Sequence, residues 1–142
     1  MHTVMNKHKD MYPLLYYKAE HLIQLTPLRY FDIMPFDIPN IAGVYIISLK
    51  EDDDTESYLS VNFTNNLRTD IFNKQVAFIS TFKGNNIRFI KGKGPRFVEH
   101  SESLEYLKEN CQLRYMVETD LKEQLALTAI VCSILKPWSN GN

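Results

Sequence analysis

The stretch from Gly43 to Asn73, GVYIISLKEDDDTESYLSVNFTNNLRTDIFN, decides the fold. It opens with an apolar run at Val44–Ile47 and passes through an acidic spacer, Glu51–Glu56, into a second β-prone run at Tyr58–Val61. Two such runs separated by a polar turn are typical of an antiparallel pair of strands. Apolar residues at helical spacing then follow the cap-like Thr64–Asn66. The stretch therefore predicts two strands joined by a turn and followed by a helix.

Length and composition predict one domain of ordinary composition. The chain has 142 residues, 44% hydrophobic and 23% charged, with a net charge of -1. Proteins dedicated to nucleic-acid binding are more often clearly basic, so the overall charge argues against tight DNA binding, although a local patch can override it. No run approaches the roughly 20 apolar residues that span a bilayer. Residues 1–10 lack the apolar core of a signal peptide, so we expect a cytoplasmic protein without a membrane segment.

The segments on either side of this stretch predict further helices and one more strand. In front of it, Pro13–Leu25 has helical spacing, and the proline- and aromatic-rich Leu28–Ile41 is expected to wrap the core as an ordered lead-in. Behind it, alternation over Cys111–Val117 predicts a half-buried strand. Leu121–Leu135 predicts a long helix capped by Thr119, and so little of this helix is polar that we expect it to be nearly enclosed. The two cysteines lack metal-ligand spacing and are expected to be buried thiols.

The middle of the chain carries one basic patch. Gly84–Asn86 marks a turn between two predicted strands, Val76–Phe82 and Ile87–Ile90. Around this turn, five cations fall within a short span with no acid among them: Lys83, Arg88, Lys91, Lys93 and Arg96. One interpretation is contact with phosphate groups, which gives sequence-independent and salt-sensitive affinity. The other is a soluble, exposed hairpin.

The opening stretch resembles the amino-terminal half of the GIY-YIG nuclease family. Gly43-Val44-Tyr45 stands at the first triplet of the family, and Thr64-Asn65-Asn66-Leu67 stands at its Thr-x-Asn-Leu run. The last predicted helix is followed by Pro137-Trp138-Ser139-Asn140, which is similar to the Pro-x-x-Asn that follows the last helix of the family. The resemblance implies a GIY-YIG-like α+β fold for residues 41–142, with a small central antiparallel or mixed sheet flanked by helices. Residues 1–40 are then an N-terminal helical and wrapping extension.

At the positions that do chemistry, the sequence departs from the family. The resemblance implies tyrosines from two triplets, an arginine on the first helix and a glutamate on the last helix that holds one divalent metal. Here Ser60–Asn62 stands at the second triplet, Asp70 at the arginine and Thr128 at the glutamate. A threonine hydroxyl is a poor substitute for a carboxylate, so no metal is expected, and Mg²⁺ only if the chain is active. Glu123, a weak candidate ligand, lies five residues earlier, about 140° around the helix.

Three residues are candidate remnants of the catalytic set: Tyr45, Tyr58 and Arg68. Tyr58 becomes the second tyrosine if the register is gapped, and alternation along a strand places it on the face of Ser60 and Asn62. Arg68 is close to the position of the lost arginine in sequence, but it points roughly 160° away on the predicted helix.

The sequence leaves three functions open. The first is a catalytically inactive GIY-YIG-like domain that binds nucleic acid, or acts in regulation, through the basic patch, with Tyr45 and Asn65 lining the former cleft. The second is a protein–protein interaction subunit, favoured by the near-neutral charge and by eight tyrosines, eight phenylalanines and one tryptophan. The third is an active metal-dependent DNA endonuclease with rearranged ligands such as Glu118, Glu123 or Asp70. The expected partner is thus DNA or another protein.

Overall fold

The computed structural model describes residues 12–50, 55–74, 87–90, 94–97, 105 and 107–137, with the backbone alone for 87–90 and 94–97. Its helices are α1 (Pro13–Gln24), α2 (residues 67–74) and α3 (Leu121–Leu135). Its strands are β1 (Leu28–Arg29), β2 (Gly43–Lys50), β3 (Glu56–Thr64), β4 (Ile87–Ile90), β5 (Gly94–Phe97) and β6 (Cys111–Val117). Two 3₁₀ turns, Tyr30–Asp32 and Pro35–Asp37, lie between β1 and β2, and a short helical segment at residues 107–110 precedes β6.

Four of the described strands form one antiparallel sheet in the order β1-β6-β2-β3, and β4 and β5 form a separate two-stranded ribbon. β2 lies at the centre of the sheet, and every residue from Gly43 to Leu49 is buried. A continuous apolar run is typical of a strand that is covered on both faces. The predicted α+β class with a central antiparallel sheet flanked by helices is therefore confirmed.

The two faces of β2 carry two separate hydrophobic layers. Tyr45, Ile47 and Leu49 pack with α2, with the 3₁₀ turns and with the short segment before β6. Val44 and Ile46 pack with α1 and α3 on the opposite face. Successive residues of a strand point to opposite faces, which explains the division. Residues from the predicted N-terminal extension contribute to both layers.

A β-bulge at Leu59 in β3 changes the faces of the sheet on which the side chains before it lie. Ile47 pairs with Ser60, whereas Ser48 pairs with Tyr58, so Leu59 is an extra residue between two ladder positions. One extra residue moves the positions beyond it to the other face. The prediction that Tyr58 shares a face with Ser60 is therefore wrong, and Tyr58 packs in the layer of α1 and α3.

The start of α2 is fixed by the cap that the sequence predicts. The Asn66 side-chain oxygen accepts a hydrogen bond from the Thr69 amide at 3.0 Å, and the Thr64 hydroxyl oxygen accepts one from the Asn66 amide at 3.1 Å. The Leu67 amide donates to the Ile41 carbonyl at 2.8 Å, which joins α2 to the lead-in segment. The helix therefore follows β3 without a long loop.

Helix α3 has the predicted bounds but a different cap and a different environment. Asp120, not Thr119, is the N-cap, and its carboxylate accepts hydrogen bonds from the amides of the first turn. Lys136 ends the helix in the left-handed region at φ 50°. The prediction that α3 is nearly enclosed is wrong, because Leu121 and Leu125 are 59% and 46% exposed.

Candidate functional site

Tyr45, the tyrosine of the first triplet, is part of the interior. Its hydroxyl donates a hydrogen bond to the Asp70 carboxylate on α2, and its side chain has no exposed surface. Burial and then the bond to Asp70 raise the pKa of Tyr45 far above its ordinary value. Tyr30 beside it donates to the backbone carbonyl of Ile71, one residue further along α2. Two tyrosine hydroxyls thus hold one turn of α2 against the sheet.

Tyr58 lies on the other side of the sheet from Tyr45. It is half-buried in the layer of α1 and α3, and burial followed by the charge of Glu56 raises the pKa of its hydroxyl. Tyr45 packs in the layer of α2. The described residues therefore do not bring the two candidate catalytic tyrosines together.

Arg68 and Asn65 lie at the start of α2. The Arg68 guanidinium donates through Nε to the backbone carbonyl of Ile38 at 2.8 Å, and its amide donates to the Pro39 carbonyl at 3.2 Å. Arg68 therefore ties the lead-in segment to α2. Asn65 is exposed in the bend between β3 and the helix.

Thr128 and Glu123, the two candidate positions on α3, are engaged in local contacts. The Thr128 hydroxyl donates to the Gln124 carbonyl of its own helix at 2.7 Å. Glu123 pairs with Lys18 of α1 at 3.0 Å, and Lys18 also pairs with Glu118 at 2.7 Å. Hydrogen bonds to Glu118 and then Glu123 raise the pKa of Lys18. These contacts join α1 to the start of α3.

α3 packs on the face of the sheet opposite to Tyr45. Its buried residues, Leu127 and Val131, lie in the layer of Val44 and Ile46. Thr128 and Glu123 therefore do not share a pocket with Tyr45. Within the part of the chain that the structure describes, no group of three or more His, Cys, Asp or Glu side chains is arranged to hold a metal ion.

The described part of the basic patch forms the β4–β5 ribbon. The predicted strand Ile87–Ile90 is confirmed, and its partner in the structure is Gly94–Phe97. The predicted partner strand, Val76–Phe82, lies outside the described residues, as do Lys83, Lys91 and Lys93. Arg88 and Arg96 are direct partners across the ladder. Residues paired in this way share one face of a ribbon.

A buried ion pair, which the sequence analysis missed, links three strands and α1. Arg114 is 6% exposed and donates two hydrogen bonds to the Glu56 carboxylate, at 2.6 and 2.7 Å. Its Nε donates to the Leu25 carbonyl at 2.8 Å, and the Ser48 hydroxyl donates to Glu56 at 2.8 Å. Such a bidentate ion pair, on a face of the sheet that helices cover, fixes the register of the strands that it joins.

The signal for this pair was present in the sequence. Arg114 is the central polar residue of a strand that lies in a covered sheet, and a buried charge needs a partner. Burial alone would raise the pKa of Glu56, but the hydrogen bonds from Arg114 and Ser48 outweigh it and lower the pKa below its ordinary value. Sequence spacing did not single out Glu56, which belonged to the acidic spacer. The pair is internally satisfied, so its role is structural.

An apolar surface remains open on the two helices that cover one face of the sheet. The α1–α3 groove has a volume of about 390 Å³ and six lining residues: Tyr12, Leu15, Tyr16, Ala126, Ala129 and Ile130. Leu125, next to Ala126 on α3, is 46% exposed. Single exposed apolar residues are normal, but an open apolar groove is a candidate contact surface.

The two cysteines differ in environment. Cys111 is fully buried at the start of β6, and burial raises the pKa of its thiol to about 12. Cys132 on α3 is only half-buried, and burial raises the pKa of its thiol. The prediction of a buried thiol is thus confirmed for Cys111 alone.

The fold and these sites define an α+β domain whose four-stranded antiparallel sheet separates two hydrophobic layers that contain the helices. The β4–β5 ribbon forms a second, two-stranded sheet. Comparison with protein-family models, with curated proteins and with solved structures gives no significant match to this chain. Among the described helices, none is long and apolar enough to cross a bilayer.

Proposed function

We propose that this chain is a GIY-YIG-like domain without nuclease activity that binds nucleic acid through the β4–β5 ribbon. The observation that carries the proposal is the direct pairing of Arg88 with Arg96. Like charges that face each other across a ladder destabilise it. An anion that lies between them removes the repulsion, and a nucleic-acid backbone supplies such anions at regular spacing.

The contacts of the former catalytic positions support the loss of cleavage. Tyr45 is buried and donates to Asp70, the residue at the position of the family arginine. Thr128, at the position of the metal ligand, is bonded to its own helix, and Glu123 is paired with Lys18. A general base and a fixed cation each contribute on the order of 10² in rate or more, so the joint loss leaves little catalysis.

Fluorescence anisotropy with a labelled oligonucleotide tests the proposal. We expect micromolar or weaker binding, because the ribbon neutralises few phosphates, and we expect the affinity to fall as salt rises, by a log–log slope of about −0.9 for each phosphate neutralised. Arg88→Gln/Arg96→Gln should weaken binding about tenfold at low salt. Arg29→Gln is the matched control, since Arg29 is an exposed arginine of the sheet edge, where it pairs with Asp32 at 3.4 Å and donates to the Lys108 carbonyl at 3.4 Å. Absence of binding at low ionic strength, or equal losses in both variants, contradicts the proposal.

The α1–α3 groove favours a second candidate function, a protein-interaction subunit. Its lining combines two alanines, Ala126 and Ala129, with larger apolar side chains, which suits the apolar face of an incoming helix. The α3 of a second copy offers such a face, because Leu121 and Leu125 are exposed one turn apart. We therefore propose self-association as the form that this function takes.

Light scattering across a concentration series tests this second candidate. The wild-type mass should rise from monomer toward dimer, and Leu125→Glu should keep the chain monomeric, because it places a charge beside the groove. Phe36→Glu is the control, since Phe36 is 76% exposed on a 3₁₀ turn in the opposite layer. A wild-type protein that stays monomeric at high concentration rules out self-association through the groove.

A further inference from the structure

We infer that the outer edge of β6 at Tyr115–Val117 binds an extended segment of a partner protein, in which basic and apolar residues alternate, as an added strand of the sheet. β1 pairs with two of the seven residues of β6, Gln112 and Leu113. Pro27 directly precedes β1, and a proline has no N–H with which to continue a ladder. Among the residues that the structure describes, the remainder of this edge therefore has no strand beside it.

The register of β6 on β2 determines which backbone groups of β6 point outward. The Glu118 amide donates to the Ala42 carbonyl at 3.0 Å, one position beyond the last pair of the ladder. Backbone groups of successive residues bond to opposite sides of a strand. Tyr115 and Val117 therefore point their N–H and C=O groups away from β2. Within the described part of the chain, these four groups have no hydrogen-bond partner, so an extended peptide can bond to all of them.

Two pockets flank this edge and share Leu28 and Tyr115. The smaller has a volume of about 270 Å³ and reaches Leu25, in the layer of α1 and α3. The larger has a volume of about 480 Å³ and reaches Ile33, in the layer of α2. Successive side chains of an added strand point to alternate faces of the sheet. Neighbouring side chains of the peptide therefore reach the two pockets in turn, and such pockets give strand addition its specificity.

The larger pocket favours basic side chains. Two exposed carboxylates line it, Asp32 and Asp37, and its one cation, Arg29, pairs with Asp32 at 3.4 Å. The formal charge of the lining is thus negative. The side chain of Tyr115 packs on this side of the sheet, and residues opposite each other in a ladder share a face. The peptide residue opposite Tyr115 is therefore the basic one.

The smaller pocket favours apolar side chains. Three leucines line it, Leu25, Leu28 and Leu113. Its one charged residue, Arg114, already donates two hydrogen bonds to Glu56 and so does not attract an acidic side chain. The peptide residues on either side of the basic one are therefore apolar.

A short fluorescent peptide that alternates lysine and valine is the probe, and anisotropy at low salt measures its affinity. In the inferred register, the lysine amides face β6 and the valine amides face solvent. N-methylation of the lysine amides should weaken binding at least about tenfold, because it removes donors and places methyl groups between the strands. N-methylation of the valine amides should change it by less than about twofold. Glutamate in place of lysine should weaken binding about tenfold.

Charge substitutions in the protein test the larger pocket. Asp32→Asn/Asp37→Asn should weaken binding of the lysine–valine peptide about fivefold, and asparagine keeps an oxygen for the Met34 amide that Asp37 binds at 2.9 Å. Glu105→Gln/Glu109→Gln is the matched control, since it removes two exposed carboxylates that line neither pocket and should leave the affinity unchanged.

Amide hydrogen exchange tests the position of the site. In the free protein, the amides of Tyr115 and Val117 should exchange at least about tenfold faster than that of Met116, which bonds to β2. Saturation with the lysine–valine peptide should slow the two fast amides. Slow exchange of these amides in the free protein, or no change on peptide binding, overturns the site.

The remaining outcomes distinguish the mode of binding and the occupant. Equal losses from N-methylation at the two sets of amides, or no binding of the peptide at millimolar concentration, overturn strand addition. Equal affinity for the lysine and glutamate peptides overturns a basic partner. Self-association that the peptide prevents and Leu125→Glu does not would make a second copy the occupant and overturn the partner protein. None of these measurements uses nucleic acid, so each failure leaves the proposed function in place.

Discussion

The Tyr45 hydroxyl in β2 donates a hydrogen bond to the Asp70 carboxylate in α2, across the layer between the sheet and the helix. In the GIY-YIG resemblance, these are the positions of a catalytic tyrosine and a phosphate-binding arginine. A carboxylate at the second position repels phosphate and accepts a hydrogen bond from the tyrosine hydroxyl. The pair therefore stabilises the helix against the sheet, and the aromatic ring contributes to the core.

Tyr45→Phe tests this structural role. Removal of the hydroxyl leaves the half-buried Asp70 without this donor, and we expect the free energy of unfolding to fall by about 1 to 2 kcal/mol. Urea unfolding followed by circular dichroism measures the change. Tyr17→Phe is the control, because Tyr17 is 66% exposed and its loss should stay within about 0.5 kcal/mol. Equal effects of the two substitutions contradict the role assigned to Tyr45.

Thr128→Glu should not create a nuclease. The substitution supplies the carboxylate that the resemblance expects, but α3 covers the face of the sheet opposite to Tyr45. A metal held by the new side chain would be separated from the tyrosine by the sheet. Plasmid nicking with Mg²⁺ or Mn²⁺, with and without a chelator, measures the activity. Chelator-sensitive nicking by the wild type would favour the active-enzyme alternative. Nicking by the variant alone would contradict the separation of Thr128 from Tyr45 by the sheet.

The sequence predicts the elements better than the contacts between them. Hydrophobic alternation gives β6 its bounds, and the Thr64–Asn66 cap gives the start of α2, because both signals are local. The bulge at Leu59 has no local signal, since it depends on how β3 pairs with β2. One extra residue moves Tyr58 to the other face and thereby changes which side chains lie together.

The environment of α3 illustrates the same limit. Its composition is almost wholly apolar, and composition alone indicates burial on all sides. In the structure, one stripe with Leu127 and Val131 packs on the sheet, while Leu121 and Leu125 are exposed. Which faces are covered depends on the size and position of α1, and the sequence of α3 does not contain that information. The same holds for Thr128 and Glu123, because the side of the sheet on which they lie follows from the packing of α3 and not from its sequence.

Gly43→Ala should be strongly destabilising, because the first residue of the triplet fills a steric role. A Cβ atom there would collide with the backbone carbonyl oxygen of Met116 in β6 and would lie 2.7 Å from Cδ1 of Leu67 in α2. The carbonyl belongs to the paired strand and cannot move freely, so we expect a loss of about 3 kcal/mol in unfolding free energy. Chemical unfolding measures it. Ile41→Val, at an exposed position two residues earlier, should change stability by less than about 0.5 kcal/mol.

Glu56→Gln should remove an acid-sensitive part of the stability. The Glu56 carboxylate accepts two hydrogen bonds from the buried Arg114, and its pKa lies below the ordinary value of 4.5. A lowered pKa in the folded state means that the stabilisation is complete above about pH 4.5 and is lost as pH falls through the folded-state pKa. Removal of one partner leaves the Arg114 charge without compensation, so we expect a loss of about 2 to 4 kcal/mol at neutral pH.

Unfolding of wild type and Glu56→Gln between neutral pH and about pH 3 measures this linkage. The difference between the two proteins should be largest at neutral pH and should shrink as pH falls through the lowered folded-state pKa of Glu56, because the wild-type carboxylate then becomes protonated and loses the same interaction. Glu109→Gln is the control, since it removes an exposed carboxylate of the short segment before β6 and should change stability by less than about 0.5 kcal/mol at each pH. A Glu56→Gln difference that is independent of pH would show that the ion pair does not contribute through its charge.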